Sequence, residues 1–256
     1  MSSVINTNVK SMFASAALST NERQMSVAMN QLSTGKRTFS ASVDAAGLAL
    51  ADKLTSQIRG TQMAVKNIND GISFLQTAEG ALNEITNMGQ RMYELAVQLE
   101  NGTLDSDQTA SIETEMDDLG TAIDDIITNT TWNDTATAGY SISLTIAGDG
   151  TTDTFSVTAL GTTPTSASAA TAISTFLATV ATQRGEAGSA INRLGYMADN
   201  LSNLAANLSA SRSRTMDTDY ASASAELART QIIQQAATAM LAQANQSSQS
   251  VLSLLK

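Results

Sequence analysis

The 256-residue chain has no histidine, no cysteine, one proline (Pro164) and one tryptophan (Trp132). Without imidazole or thiol it cannot build a His- or thiolate-based zinc site, a cysteine nucleophile, a disulfide or a histidine general base. Aromatics are only 4% of the chain, which argues against a compact core built round large rings. Basic residues are absent between Arg91 and Arg184, whereas thirteen acidic residues fall between Glu94 and Asp153. A net charge of −10 so distributed opposes nucleic-acid binding, which needs clustered Lys and Arg against phosphate. No run reaches eighteen apolar residues, so no membrane insertion is expected. No basic n-region precedes an apolar run and a cleavage site, so no cleaved secretory signal is expected either.

What is present favours long helices in close contact. Apolar residues make up 42% of the chain, with Ala and Met prominent. Such residues carry good helix propensity and let backbones approach closely. Near the start, Val4, Ile5, Val9, Met12, Phe13, Ala16 and Ala17 suggest one helical face, continued by Met25, Met29 and Leu32. Gly35 marks a turn. From about Asp44 to Leu99, a rhythm near 3.5 predicts one long helix wound against partners. It passes through Val65, Ile68, Ile72, Leu75 and Leu82, then Ile85, Met88, Met92, Leu95 and Leu99. A second helix is predicted over about Ser106 to Thr128, with Asp105 and Asp107 favourably placed against its dipole.

The centre carries the only sheet signal. Ile142, Leu144 and Ile146 alternate along one run and Phe155, Val157 and Ala159 along another. Gly148 to Asp153 joins them as a turn, predicting a β-hairpin. Gly148-Asp149-Gly150 lacks the oxygen spacing of a full calcium loop, so no metal or other cofactor is assigned. Helix resumes near Ala170 with Ile191, Leu194, Leu201, Leu204 and Leu208 on its apolar side. A break is predicted from Ser211 to Tyr220, and a last helix from about Ala221. Thr230 to Leu255 is free of formal charge for 26 residues, a helix of roughly 39 Å. Its interspersed Gln and Asn make it unsuitable for lipid, so its apolar residues need protein partners. The charge-poor N-terminal region is the first candidate, and further copies of the chain the second.

The expected fold is therefore mainly α. A long coiled-coil-like helical hairpin is formed by the N- and C-terminal regions, with a small central β-hairpin region. No catalytic residues are assigned. Asp117/Asp118 and Asp124/Asp125 could in principle supply acid–base groups, but adjacent helical residues do not face each other and no nucleophile accompanies them. They are read as solvating an outer face.

With these segments placed, the chain resembles bacterial flagellin. The resemblance lies in Ile5-Asn6-Thr7-Asn8, Leu32-Ser33-Thr34-Gly35-Lys36-Arg37, Asp44-Ala45-Ala46-Gly47 and Gln76-Thr77-Ala78-Glu79-Gly80. Toward the other end it lies in Ser211-Arg212-Ser213-Arg214, Asp219-Tyr220-Ala221, Gln231-Ile232-Ile233-Gln234-Gln235-Ala236 and Leu241-Ala242-Gln243-Ala244-Asn245-Gln246. It covers roughly the first 135 and last 75 residues. It implies an exported, extracellular structural subunit that polymerises with many copies of itself into a flagellar filament. The implied division is 1–40 and 211–256 as the two halves of an inner filament-core domain. Residues 41–210 would form an outer helical domain with a small β region at about 138–162.

The resemblance also implies type III export, an export chaperone holding the C-terminal helix, and contacts with filament cap and hook-associated proteins. Residues expected in polymerisation and channel lining are Ile5, Val9, Met12, Leu227, Ile232, Gln235, Met240, Leu241, Gln243, Leu252 and Leu255. A patch recognised by an animal innate immune receptor in this family maps to Gln90, Arg91 and Leu95, with Glu115. Tyr93 and Leu119 stand where basic residues are frequent, and Asp117 and Asp118 lie nearby, so recognition is expected to be weakened. Two alternatives remain: a hook–filament junction protein, which would occur in few copies, and a cell-surface adhesin, which would bind as a monomer through the hairpin and the Pro164 loop.

Overall fold

The computed structural model describes residues 7–133, 135–137, 141–145, 152–156, 160 and 163–253. Five helices carry most of it: α1 (Val9–Thr34), α2 (Ala45–Leu99), α3 (Ser106–Asn129), α4 (Ala170–Met216) and α5 (Tyr220–Ser253). Four short strands lie between α3 and α4: β1 (Thr131–Trp132), β2 (Thr135–Ala136), β3 (Ser141–Thr145) and β4 (Thr152–Ser156). The chain divides into two compact units, one of Met1–Thr55 with Leu208–Lys256 and one of Ser56–Asn207.

In the second unit α2 buries a continuous stripe. Ile58, Thr61, Ala64, Ile68, Leu75, Ala78, Leu82, Ile85, Met92 and Ala96 are all buried. Every step between them is three, four or seven residues, the coiled-coil interval predicted from the sequence. The stripe feeds two clusters. Leu82, Ile85, Met92 and Leu95 pack with Ile112, Met116 and Ile123 of α3 and with Ile173, Phe176 and Val180 of α4. Ile68, Phe74 and Leu75 pack with Leu194 of α4, and Leu144 of β3 rests against this group. Leu204, expected on the apolar side of α4, is instead exposed.

Helix α3 starts where its acids predict. The Asp105 carboxylate accepts from the backbone N–H of Asp107 and Gln108 at 3.0 and 2.8 Å, and the Gln108 side chain accepts from the Asp105 N–H. This reciprocal capping satisfies donors that have no partner inside the helix. The predicted hairpin forms as β3 and β4, antiparallel, with Ile142 opposite Phe155 and Leu144 opposite Asp153. Asn67 of α2 donates to the Thr145 carbonyl at 3.2 Å, fixing the hairpin to the helix. Ile146, Val157, Ala159 and the predicted turn at 148–151 lie outside the described residues. The pair β1–β2 has no alternating signal and went unpredicted. It turns through Asn133 at a φ of 48°, a left-handed conformation that Asn tolerates better than most residues.

Two of the acids read as purely solvating are tied down. Asp117 Oδ1 accepts from the Ser166 N–H at 2.8 Å, and Asp124 accepts from the Thr163 hydroxyl. Between them on the same α3 face is Gly120, where a Cβ would lie 2.9 Å from the Pro164 carbonyl oxygen. The backbone hydrogen bond from Ser166 holds the Asp117 carboxyl below its ordinary value. A depressed carboxyl favours the folded loop above the unfolded pKa of about 3.9, and that contribution is lost as pH falls through the folded value. The Ser166 amide resonance is therefore expected to titrate with a midpoint below the ordinary aspartate value, and to lose that titration in Asp117→Asn. An unchanged curve in the variant assigns the titration to another group.

Candidate assembly surface

The first unit pairs the two ends of the chain. Asn8 Nδ2 donates to the Ala244 carbonyl at 3.2 Å, and Asn21 Nδ2 donates to the Thr230 carbonyl at 2.8 Å. As the number rises on α1 it falls on α5, so the helices run antiparallel. The more covered positions here are Asn8, just before α1, then Ser11, Ala14, Leu18, Asn21, Met25, Ala28 and Leu32 along it, with Val27 and Gln31 beside them. On α5 they are Ala223, Leu227, Thr230, Gln234, Ala237, Leu241 and Ala244, with Glu226 beside Leu227. Both sets advance by threes and fours, a coiled-coil seam, but one built mostly from small and polar side chains.

Buried Asn21 has one satisfied donor, while its Oδ1 has no partner among the described residues. A polar side chain at one seam position fixes register at a cost in stability. Asn21→Leu should therefore raise the urea midpoint of this unit by the equivalent of about 1 kcal/mol. A lower midpoint would mean that the hydrogen bond to Thr230 outweighs the unpaired oxygen.

The turn motif closes the same unit. Gly35 ends α1 in the left-handed conformation (φ 68°), and its N–H donates to the Gln31 carbonyl at 2.9 Å. A side chain at that φ is strained, and a Cβ would also lie 3.2 Å from the Tyr220 hydroxyl. Beyond it, the Arg37 N–H donates to the Met216 carbonyl at 2.6 Å and the Thr218 N–H donates to the Gly35 carbonyl at 3.0 Å. The Arg37 guanidinium reaches the Thr215 carbonyl at 2.8 Å. Lys36 and Asp217 form an isolated antiparallel bridge.

The break between α4 and α5 is thus narrower than the ten residues predicted. It occupies only Asp217–Asp219, because Ser211-Arg212-Ser213-Arg214 continues the helix. Asp219 then starts α5 by accepting from the Ala221 and Ser222 N–H groups.

Leu18, Met25, Leu32, Leu227 and Leu241 lie in this seam, but several other large apolar side chains lie off it. Met12 is 63% exposed and Phe13 73%, with Val9 and Met29 also exposed on α1. On α5, Ile232 is 67% exposed and Met240 66%, with Ile233 exposed beside them. Gln235, Ala236, Ala239 and Gln243 are exposed as well. Of the face inferred for α1, Val9, Met12, Phe13, Ala16, Ala17 and Met29 are exposed, Met25 and Leu32 lie in the seam against α5, and Val4 and Ile5 lie outside the described residues. The only α5 ion pair among the described residues, Arg229 to Glu226 at 2.7 Å, precedes the charge-free stretch.

Of the residues assigned to polymerisation, Val9, Met12, Ile232, Gln235, Met240 and Gln243 share this outward exposure, while Leu227 and Leu241 lie in the seam. Leu252 is in the last turn of α5, and Ile5 and Leu255 lie outside the described residues.

In the other unit, Arg91 donates through Nε and Nη2 to Glu115 Oε1 at 3.0 and 2.8 Å, and through Nη1 to Glu94 at 3.3 Å. The Glu115 hydrogen bond, then that of Glu94, raises the guanidinium above its already high ordinary value. Gln90 is exposed beside it, but Leu95 is only 2% exposed and belongs to the core. Among the described residues no three His, Cys, Asp or Glu side chains converge as a metal site, and no helix is long and apolar enough to cross a membrane.

Comparison with known proteins bears on these same two ends. The family model for the bacterial flagellin N-terminal helical region matches residues 5–136, and that for the bacterial flagellin C-terminal helical region matches residues 170–255. The chain belongs to the bacterial flagellin family. The flagellin of Halalkalibacterium halodurans is 40% identical over 274 aligned positions, covering 99% of this chain and 100% of the relative. That of Bacillus subtilis is 35% identical, covering 98% and 99%. The crystal structure of Bacillus cereus flagellin is similar over 53% of this chain and 88% of that one, at 29% identity and a TM-score of 0.46. As a flagellin the chain is a structural subunit of the flagellar filament, a secreted protein that polymerises with copies of itself. The two flagellin regions leave residues 137–169 between them, where the β3–β4 hairpin and the Pro164 loop lie.

Proposed function

We propose that copies of this flagellin join through the outward apolar stripe of α1 and α5, and that the charge-free part of α5 faces the filament channel. The supporting observation is that the intramolecular seam leaves Met12, Phe13, Ile232 and Met240 without cover. Exposed apolar side chains grouped on two paired helices favour association, and a second copy offers the same stripe. Gln235 and Gln243 supply polarity without charge, which suits a wet channel carrying unfolded chains of mixed sign. On this reading residues 1–40 and 211–256 form the inner domain and 41–210 the outer one. The export chaperone covers α5 before assembly, and cap and hook-associated proteins meet the filament ends. Sedimentation of purified subunit with short filament seeds tests the proposal. Seeded growth to long filaments is expected, and a subunit that stays monomeric at every concentration would overturn it.

Receptor recognition through Gln90, Arg91 and Glu115 is proposed only in weakened form. Arg91 must exchange two intramolecular carboxylates for those of a partner, and Leu95 has little surface to offer. In a cell-based receptor assay the response should be weak and should fall further in Arg91→Ala. Strong activation independent of Arg91 would reject the patch.

A further inference from the structure

We propose that Met12 and Met240 form an oxidation-sensitive pair, and that conversion of their thioethers to sulfoxides blocks polymerisation of the free subunit. The inference rests on the assembly surface proposed above. The chain has eleven methionines and no cysteine, so thioethers are its only sulfur open to mild oxidants.

Position separates these two from most others. Met12 and Met240 are 63% and 66% exposed, whereas Met92 and Met116 are fully buried. They also lie at the same level along the helix pair. Asn8 is bonded to Ala244, and one turn onward on α1 and one turn back on α5 reach Met12 and Met240. Phe13 and Val9 flank them on α1 and Ile233 on α5, all exposed. Both sulfurs thus occupy the apolar stripe assigned to subunit contact.

The chemistry needs a two-electron oxidant of the peroxide class. The thioether sulfur attacks one peroxide oxygen, the O–O bond breaks and a sulfur–oxygen bond forms. Hydrogen peroxide is reduced to water, the departing hydroxide taking the proton of the transferred oxygen. The sulfoxide is polar and a strong acceptor, so burying it against another apolar stripe without a donor is unfavourable. In the filament the same sulfurs would be covered. Free subunits are therefore the vulnerable form.

Limited hydrogen peroxide treatment of monomer, followed by peptide mass mapping and seeded sedimentation, tests this. Met12 and Met240 should be oxidised before Met92 and Met116, and the critical concentration should rise at least tenfold. Treatment with methionine sulfoxide reductases and a thiol reductant should restore it. In the Met12→Leu/Met240→Leu variant the ratio of treated to untreated critical concentration should fall to near one, whatever the untreated value. A Met63→Leu variant, at an exposed methionine of α2 outside that stripe, should keep the full ratio. Normal polymerisation of subunit carrying both sulfoxides overturns the inference, as does an undiminished ratio in the Met12/Met240 variant. Untreated protein that does not polymerise would instead overturn the assembly surface itself.

Discussion

Phe13→Asp combined with Ile232→Asp should abolish sedimentable filament while leaving the helix content of the subunit unchanged. Both side chains are exposed in the isolated chain, so no intramolecular packing is removed. Burying each against a neighbouring copy would contribute about 1.5–3 kcal/mol, and the introduced carboxylates would have to be desolvated as well. With every 1.4 kcal/mol equal to about a factor of ten, the critical concentration should rise by at least about a hundredfold. The control is Leu18→Asp in the seam. It places the same carboxylate between α1 and α5, so the helix pair should open and helical signal should fall before polymerisation is tested. Filaments of wild-type length from the outward double variant would show that the stripe is not a subunit contact.

The second large effect lies in the other unit. Ile85 is fully buried where α2 meets α3 and α4. Ile85→Ala removes three heavy atoms from that packing and leaves a cavity that three long helices can close only in part. A loss of roughly 2–5 kcal/mol is expected, the range seen when large apolar core residues are truncated. Urea unfolding followed by the signal of Trp132, which lies in β1 next to the end of α3, should report it as a lower midpoint with little change in slope. A midpoint within about 0.5 kcal/mol of wild type would mean that Ile85 is not part of a close-packed core.

The sequence carried the second unit in plain form because its core uses Ile, Leu, Met and Phe at coiled-coil spacing. The α2 stripe from Ile68 to Leu95, the Asp105 start of α3 and the facing runs of β3 and β4 all rest on that contrast between apolar and polar residues. The first unit hides its seam for the opposite reason. Ser11, Ala14, Asn21, Ala28, Thr230, Gln234 and Ala244 dilute the period of Leu18, Met25, Leu32, Leu227 and Leu241, and the prominent Val9, Met12 and Phe13 face outward. The Ser-Arg run at 211–214, inside the predicted break, belongs to α4. The Arg37 contacts to Thr215 and Met216 join segments nearly 180 residues apart, and no local pattern announces them. Nor does Asp117 differ locally from Asp118; only the return of the chain at Ser166 distinguishes them.

That inversion in α1 matters for the assembly account. A helix pair that used its largest apolar residues on itself would have little left with which to polymerise. Here small and polar side chains fill most of the seam around Leu18, Met25, Leu32, Leu227 and Leu241, and Met12, Phe13, Ile232 and Met240 remain for other copies. High-resolution electron microscopy of assembled filaments measures this directly. A helical tube is predicted with α1 and α5 both on the inside, and with these four side chains buried between neighbouring subunits. A filament held together without them, with α1 and α5 solvent-exposed on its outer surface, would contradict the account.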